Sequence, residues 1–548
     1  MLSRLARVVA PALLGGLLLA FSLPPWGWWP LAFCGAAVVL RRLDGLPWRL
    51  RLLAGWVAGI GCFAPGLWWA GAFNWYGAAV LVAVEALSMA LASWAVPATR
   101  WRRPAAVGAF TLAEALRISW PFGGLPIGGL FLGQAAGPLL YAARLGGPLL
   151  LTALVWLGGA ALAELARGAW RPRVHRWAAT ARPLGSLQVE GRAGGSRAAR
   201  LGGAALSVFL VVAVGVAGRL APDGGPAVRT LAVALVQGGG RRGVSQFEVS
   251  PSTVLSAQVA ASRALPGRGA RPSLVVWPED VVRVGRRLGG TTVAAYLSGL
   301  ARRLGATLAV GVTETVSTRA FRNEVVVWGP SGRVVGTYEK VHRVPFGEYV
   351  PDRAFFSHFA NLSAVPLDAV PGHGSGELTT PAGRLGFMVS FEVFFATRGR
   401  SATRAGAELL VVPTNTSSYA TSQVPSLEVA ADRLQAVEEG RDLVQAAPTG
   451  YSTVVGADGT VRARSALGRR QVLVSTVALR TGRTLYERLG DLPVLALAGL
   501  ALCASVLLAA LDVRWRPRRR RWSRRVPRPS RRAWRAAGSE GPPSRVHP

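Results

Sequence analysis

Long apolar runs separated by short arginine-rich loops decide most of what this chain can fold into. A helix needs about 20 apolar residues to cross a ~30 Å hydrocarbon core. Such runs fill the first 220 residues and return once near the end of the 548-residue chain. The sequence predicts spans at Val8–Leu23, Trp29–Leu40, Leu52–Gly71, Ala78–Pro97, Ala105–Ile118, Gly146–Ala166, Gly203–Leu220 and Leu492–Leu511. The second is short for a crossing. The first follows a basic start, as a secretory signal would. No small-residue cleavage site follows it and further apolar runs do, so it reads as a retained helix.

Loop charge sets the expected orientation. PPWGWWP and GAFNWYG carry no charge and are rich in Trp, whereas RRLDGLPWRLR and TRWRRP, which alternate with them, are basic. Basic short loops stay in the cytoplasm. The Gly/Ala-rich linker 167–202 and the tail 513–548 are basic too, so both termini are expected inside and residues 222–491 outside. A formal charge of +35 invites a nucleic-acid reading. The arginines sit between apolar runs rather than along one face, however, so no nucleic-acid partner is expected. The tail reads as disordered and as an anchor on anionic lipid. Cys34, Cys62 and Cys503 all fall in apolar segments. Neither a disulfide framework nor a metal site is expected, and no cofactor. The domain plan is a membrane part at 1–221 with about seven helices, a domain at 222–491, a last span at 492–512 and the tail.

Residues 222–491 have another texture. Short Val/Leu-rich runs (TLAVALVQ, SLVVWPE, ATLAVGVTE, NEVVVWG, RVVGTYEK, RLGFMVSFE, AELLVVPTN, DLVQAAPTG, QVLVSTV) are bounded by Gly, Pro or Asn. They read as buried strands. Helical patterns at Thr292–Leu304 and Ser426–Arg441 lie among them, which makes this an α/β layered domain.

Three strand ends carry chemistry. Glu279 follows SLVVWP, Lys340 ends the strand before VPFGEYVP, and Ser390 and Glu392 end RLGFMVSFE. Lys340 is the only lysine among 63 Lys and Arg residues. A chain that uses Arg for every other cation needs an amine at that place, because an ammonium is a compact point charge and a guanidinium is broad and planar. Active sites of open α/β sheets gather beyond the strand carboxyl ends. A carboxylate, an amine and a hydroxyl there could serve as base, electrostatic stabiliser and nucleophile.

The order and texture of these blocks resemble the nitrilase superfamily and, with membrane helices on both sides, the apolipoprotein N-acyltransferase family. WPE, YEKVHRVPFGEYVP and SFEVFF match its three motif blocks. EALRISWPFGG at Glu114–Gly124 resembles its membrane-domain signature, and AVEEGRDLVQAAPTGYS at Ala436–Ser452 its late helix–strand block. The resemblance implies a multi-pass helical membrane domain plus a nitrilase-like αββα sandwich, in a bacterial cell membrane. It implies acyl transfer from a phospholipid to a diacylglyceryl-cysteine apolipoprotein. Glu279 would be the general base and Lys340, with a backbone N–H near Phe391, would hold the oxyanion. Glu348 would orient Lys340, with Asn323 and Glu392 in support. The aromatics of RAFFSHF, from Arg353, could cover the lipid. Where the family has Cys, this chain has Ser390. TNTSSY at Thr414–Tyr419 and Pro448 also depart from its pattern. The missing Cys opens a second reading: a silent paralogue that binds lipid or lipoprotein, or scaffolds a polyprenol-phosphate mannose synthase.

Overall fold

The structure is a computed structural model and describes residues 2–169, 197–240, 248–265, 271–358, 361–419 and 421–514. Most of the basic linker and nearly all of the tail lie outside the described residues, so the readings made for them are not addressed. Among the described residues, those up to Ala509 form one compact unit.

All eight expected spans are helical. The first seven are α1 (Leu2–Phe21), α2 (Pro30–Arg42), α3 (Trp48–Leu67), α4 (Trp75–Ala95), α5 (Arg102–Arg117), then after a short α6 (Leu130–Gly133) the kinked α7 (Ala143–Ala169) and α8 (Arg197–Leu220). Among the described residues, five stretches are long and apolar enough to cross a membrane: Trp48–Ala72, Trp75–Ala95, Leu140–Arg167, Ala198–Leu220 and Leu492–Asp512. The 13 residues of α2 rise only about 20 Å. Small residues bring the helix backbones together. A Cβ on Gly16 would stand 2.0 Å from the Ala58 carbonyl, and one on Gly108 would stand 2.4 Å from that of Ala498.

The rest is a sandwich. Its chain order is β1 (Arg229–Gln237), α9 (Pro251–Ser262), β2 (Leu274–Val276), β3 (Val282–Val284), α10 (Thr292–Leu304), β4 (Thr307–Ser317), β5 (Ala320–Trp328), β6 (Val334–Glu339), α11 (Arg353–Phe356) and β7 (Asp368–Ala369). There follow β8 (Glu377–Thr380), β9 (Gly383–Phe387), α12 (Ala396–Arg404), β10 (Leu409–Pro413), α13 (Val424–Glu439), β11 (Leu443–Ala446), β12 (Thr453–Val455), β13 (Val461–Arg464), β14 (Gln471–Leu479), α14 (Leu485–Leu489) and α15 (Leu492–Arg514). One sheet runs β14-β1-β2-β4-β5-β6, with β3 beside β4 and β7 beside β5; the other runs β13-β12-β11-β10-β9-β8. All nine expected strands are present.

Side chains alternate across each strand, and here both faces are apolar. From β1, Leu231, Val233 and Leu235 join Leu385, Phe387, Leu409 and Val411 between the sheets. Ala234 and Val236 face outward into the layer of α9 and α10. From β10, Leu410 and Val412 point the other way, into a core shared by α13 and the membrane helices. That shared core buries every residue of α13 except Ser426 and Arg433, acids included.

Three of the four acids of α13 are met by threonines. Thr414 Oγ1 donates to Glu428 (2.6 Å), Thr453 Oγ1 to Asp432 (2.7 Å) and Thr403 Oγ1 to Glu439 (2.6 Å). A hydroxyl partner does not replace lost hydration of a charge, so burial pushes Asp432 and Glu439 up to about 8. Between the ordinary Asp value and about 8 the unfolded chain is ionised while folded Asp432 keeps its proton. Folding then takes up a proton, and stability falls as pH rises through that window. Asp432→Asn should flatten this part of the stability–pH curve, read from thermal midpoints between pH 5 and 9. An unchanged slope would rule Asp432 out as its source.

Candidate active site

The sequence-predicted residues converge at one end of the sandwich. Trp277 is still in ladder register (its N–H donates to the Ala309 carbonyl, 2.8 Å), and the chain then turns at Pro278, so Glu279 leaves the sheet. Lys340 follows β6, and Asn323 lies in β5. Lys340 Nζ donates to Glu279 Oε1 (3.0 Å) and to Glu348 Oε1 (2.8 Å). Asn323 Nδ2 donates to the same two oxygens, at 2.7 and 2.9 Å. The second oxygen of Glu348 accepts from the Val344 N–H (2.8 Å). Two donors and two carboxylates thus form a closed square. Glu279 Oε2 stays outside it, and a third ammonium proton of Lys340 is left for another acceptor.

Lys340 is 2% exposed. Burial works against its ammonium, but Glu279 and Glu348 outweigh burial and hold its pKa above the ordinary lysine value. Burial raises the pKa of Glu279, and the nearby Glu348 adds to this against the opposing pull of Lys340. A raised carboxylate is the stronger proton acceptor.

Ser390 differs in detail from the expectation. β9 stops at Phe387, and Ser390 opens a 3-10 turn, Ser390–Phe394, instead of ending a strand. Its φ is +48°, in the left-handed region. A residue with a Cβ is strained there by about 1–2 kcal/mol, and what holds it is Glu392. Glu392 Oε2 accepts from the Val389 N–H (2.8 Å), while Oε1 accepts from the N–H groups of Val341 (2.8 Å) and His342 (2.9 Å). One buried carboxylate therefore ties the residue before Ser390 to the residue after Lys340. Tyr338 donates its hydroxyl proton to Glu392 and accepts from Arg398 Nη2 (2.9 Å). The Phe391 ring packs edge-on against Phe395, 5.0 Å between centroids. Phe395 in turn stacks on His342 at 4.1 Å. Burial, with the charges of Arg398 and Lys340, lowers His342 to about 4, so its ring is neutral.

Sequence reasoning missed Tyr338, Arg398 and Tyr419. Tyr338 stands two places before Lys340 in a motif already singled out, but nothing local marks its partner 54 residues away. Tyr419 packs edge-on against Trp69 of the membrane part (5.0 Å), and Trp68 Nε1 donates to Gln423 (3.0 Å). The two departing segments meet as well, with Thr449 Oγ1 donating to Ser417 Oγ (2.9 Å). Among the described residues no group of three His, Cys, Asp or Glu side chains is placed to hold a metal ion.

Comparison with known proteins matches residues 15–161 to the apolipoprotein N-acyltransferase N-terminal domain and residues 233–486 to carbon-nitrogen hydrolase. The apolipoprotein N-acyltransferase of Geobacter metallireducens is 30% identical, over 90% of this chain and 94% of its own. That of Mycolicibacterium smegmatis is 31% identical, over 91% of this chain and 85% of its own. The chain belongs to the apolipoprotein N-acyltransferase family. Its α/β domain has the family's carbon-nitrogen hydrolase fold. A solved carbon-nitrogen hydrolase from Helicobacter pylori G27 aligns with 48% of the chain and 95% of its own, at 17% identity and a TM-score of 0.37.

Proposed function

We propose that this chain is a membrane acyltransferase that moves an acyl chain from a phospholipid to the α-amine of a diacylglyceryl-cysteine lipoprotein, through an ester on Ser390. One observation carries the reading: the lone lysine of the chain is buried between Glu279 and Glu348, and Glu392 ties its strand to the turn of Ser390.

In the first half, Ser390 Oγ attacks the donor ester carbonyl and passes its proton to Glu279. The oxyanion is held by the third proton of Lys340 and the Phe391 N–H. Collapse breaks the ester C–O bond, and Glu279 returns the proton to the departing lysophospholipid oxygen. In the second half the neutral α-amine attacks the acyl-serine and Glu279 takes its proton. The amide forms as Ser390 leaves and is reprotonated. An alcohol is far less acidic than a thiol, so proton removal must accompany attack. The raised pKa of Glu279 favours that step. The test is the mass of the peptide containing Ser390 after incubation with phospholipid. An acyl adduct resistant to neutral hydroxylamine is expected. Turnover without an adduct would remove Ser390 from the mechanism.

The same reading puts residues 222–491 outside the cytoplasm, next to the lipid they act on. Single cysteines at the exposed positions His373 and Arg49 distinguish the sides. An impermeant thiol reagent should label only the first on intact cells. Labelling at position 49 alone, or at both, would overturn the orientation.

A further inference from the structure

The signature EALRISWPFGG contains a charge cluster that the chemistry above does not use. Arg117, the last residue of α5, is 3% exposed inside the helical bundle. Its guanidinium lies 5.1 Å from the Phe63 ring centroid. Nε and Nη2 donate to the two oxygens of Glu114 (3.1 and 2.7 Å), and Nη1 donates to Glu85 (3.2 Å). The remaining capacity goes to three consecutive carbonyls, those of Leu125, Pro126 (3.4 Å) and Ile127 (3.1 Å). A buried ion pair adds little stability over apolar packing of the same volume. What this guanidinium provides is a fixed path for the following segment.

That segment closes on itself and reaches the active site. The Leu125 N–H donates to the Arg117 carbonyl (3.0 Å). At its neck a Cβ on Gly124, whose φ is +87°, would stand 2.2 Å from the Ile118 carbonyl, so only glycine fits. At its tip Phe122 also has a positive φ, +56°. Phe122 packs edge-on against Phe346 (6.0 Å) and Phe356 (6.2 Å), and its carbonyl accepts from the Tyr349 hydroxyl (3.3 Å). Phe346 and Tyr349 bracket Glu348, and the Phe346 N–H donates to the Tyr349 carbonyl (2.7 Å). The turn that aims Glu348 at Lys340 thus rests on a residue held by the membrane helices.

We propose that Arg117 is a positioning residue for acyl transfer: it fixes the 118–129 segment so that Phe122 braces the 344–350 turn, and with it Glu348 and Lys340. The inference rests on the function proposed above, and its test separates the two. Full-length wild type, Arg117→Lys, Phe122→Ala and the double variant are compared in phospholipid nanodiscs. Lysine keeps a cation for Glu85 and Glu114 but cannot span three carbonyls. Each single change should lower kcat by ~10- to 100-fold, the usual cost of a slightly misplaced catalytic group. The donor KM should stay within about twofold, and the double variant should be no worse than the poorer single one. Amide hydrogen exchange across 341–350 should quicken in every variant. A Phe122→Ala protein with wild-type kcat and wild-type exchange at 341–350 would overturn the proposal, even if the Arg117 variants are unstable. So would full additivity of the two changes. A wild type without transfer would sink the functional reading alone, and the exchange data would still decide the bracing.

Discussion

Acyl transfer by the Ser390→Ala protein is expected to fall by ~10⁴-fold or more, the scale seen when a catalytic nucleophile is removed. The fold should survive. Ser390 is partly exposed, and among the described residues its hydroxyl is not tied into the packing. Its strained φ of +48° is held by Glu392 through the Val389 N–H, which alanine leaves in place. Ser390→Cys is the informative partner. A thiol titrates near pH ~8.5 and gives up its proton far more readily than an alcohol, so acylation should be faster than in the wild type. Its adduct should become labile to neutral hydroxylamine. The measurement is transfer to a lipoprotein substrate in proteoliposomes, with intact mass for the adduct. If Ala changes nothing while Cys creates activity, the chain is a silent member of its family with an intact frame. If wild-type turnover survives the Ala change, another group attacks.

Lys340→Arg should lower transfer by ~10²- to 10³-fold, comparable to losing one oxyanion donor. The charge is retained, so Glu279 and Glu348 keep a cation between them, and the larger fork should cost only about 1–3 kcal/mol of stability through overpacking. The geometry is lost. Lys340 Nζ reaches both carboxylates at 3.0 and 2.8 Å from a site that is 2% exposed, with no room for a planar fork. Lys340→Met is the contrasting case. It leaves the buried Glu279 and the half-buried Glu348 without their cation and should destabilise by about 3–5 kcal/mol as well as inactivate. Near-normal transfer by the Arg variant would mean that the single lysine is an accident of an arginine-rich composition.

Much of this was legible along the chain because it is local. Hydropathy gave the eight helices, five of them long and apolar enough to cross a membrane among the described residues, since a helix in lipid must satisfy its backbone within one continuous apolar run. Short Val-rich runs with Gly or Pro ends gave the nine expected strands. Glu279, the lone Lys340, Ser390 and Glu392 stood out as residue types at strand ends, and the resemblance added Glu348 and Asn323. The short strands β3, β7, β8, β12 and β13 escaped because their two to four residues (VRV, DA, ELTT, TVV and VRAR) lie in no longer apolar run bounded by turn residues, as the equally short β2 and β11 do.

What the tertiary structure decided concerns partners far apart in sequence. Nothing local says that Glu392 accepts from the amides of Val341 and His342, some fifty residues earlier, or that Asn323 bridges Glu279 and Glu348. Four acids on α13 would be read as a solvated face, yet they are buried, three of them against threonines of the sandwich itself. Ser390 was placed at a strand end by pattern. Only the closing of Glu392 on the Val389 N–H puts it in a left-handed turn. Residue type and apolar period are properties of a segment and can be read from it. Which carboxylate meets which amide depends on where two sheets and a helical bundle bring the segments, because a hydrogen bond acts only within about 3 Å.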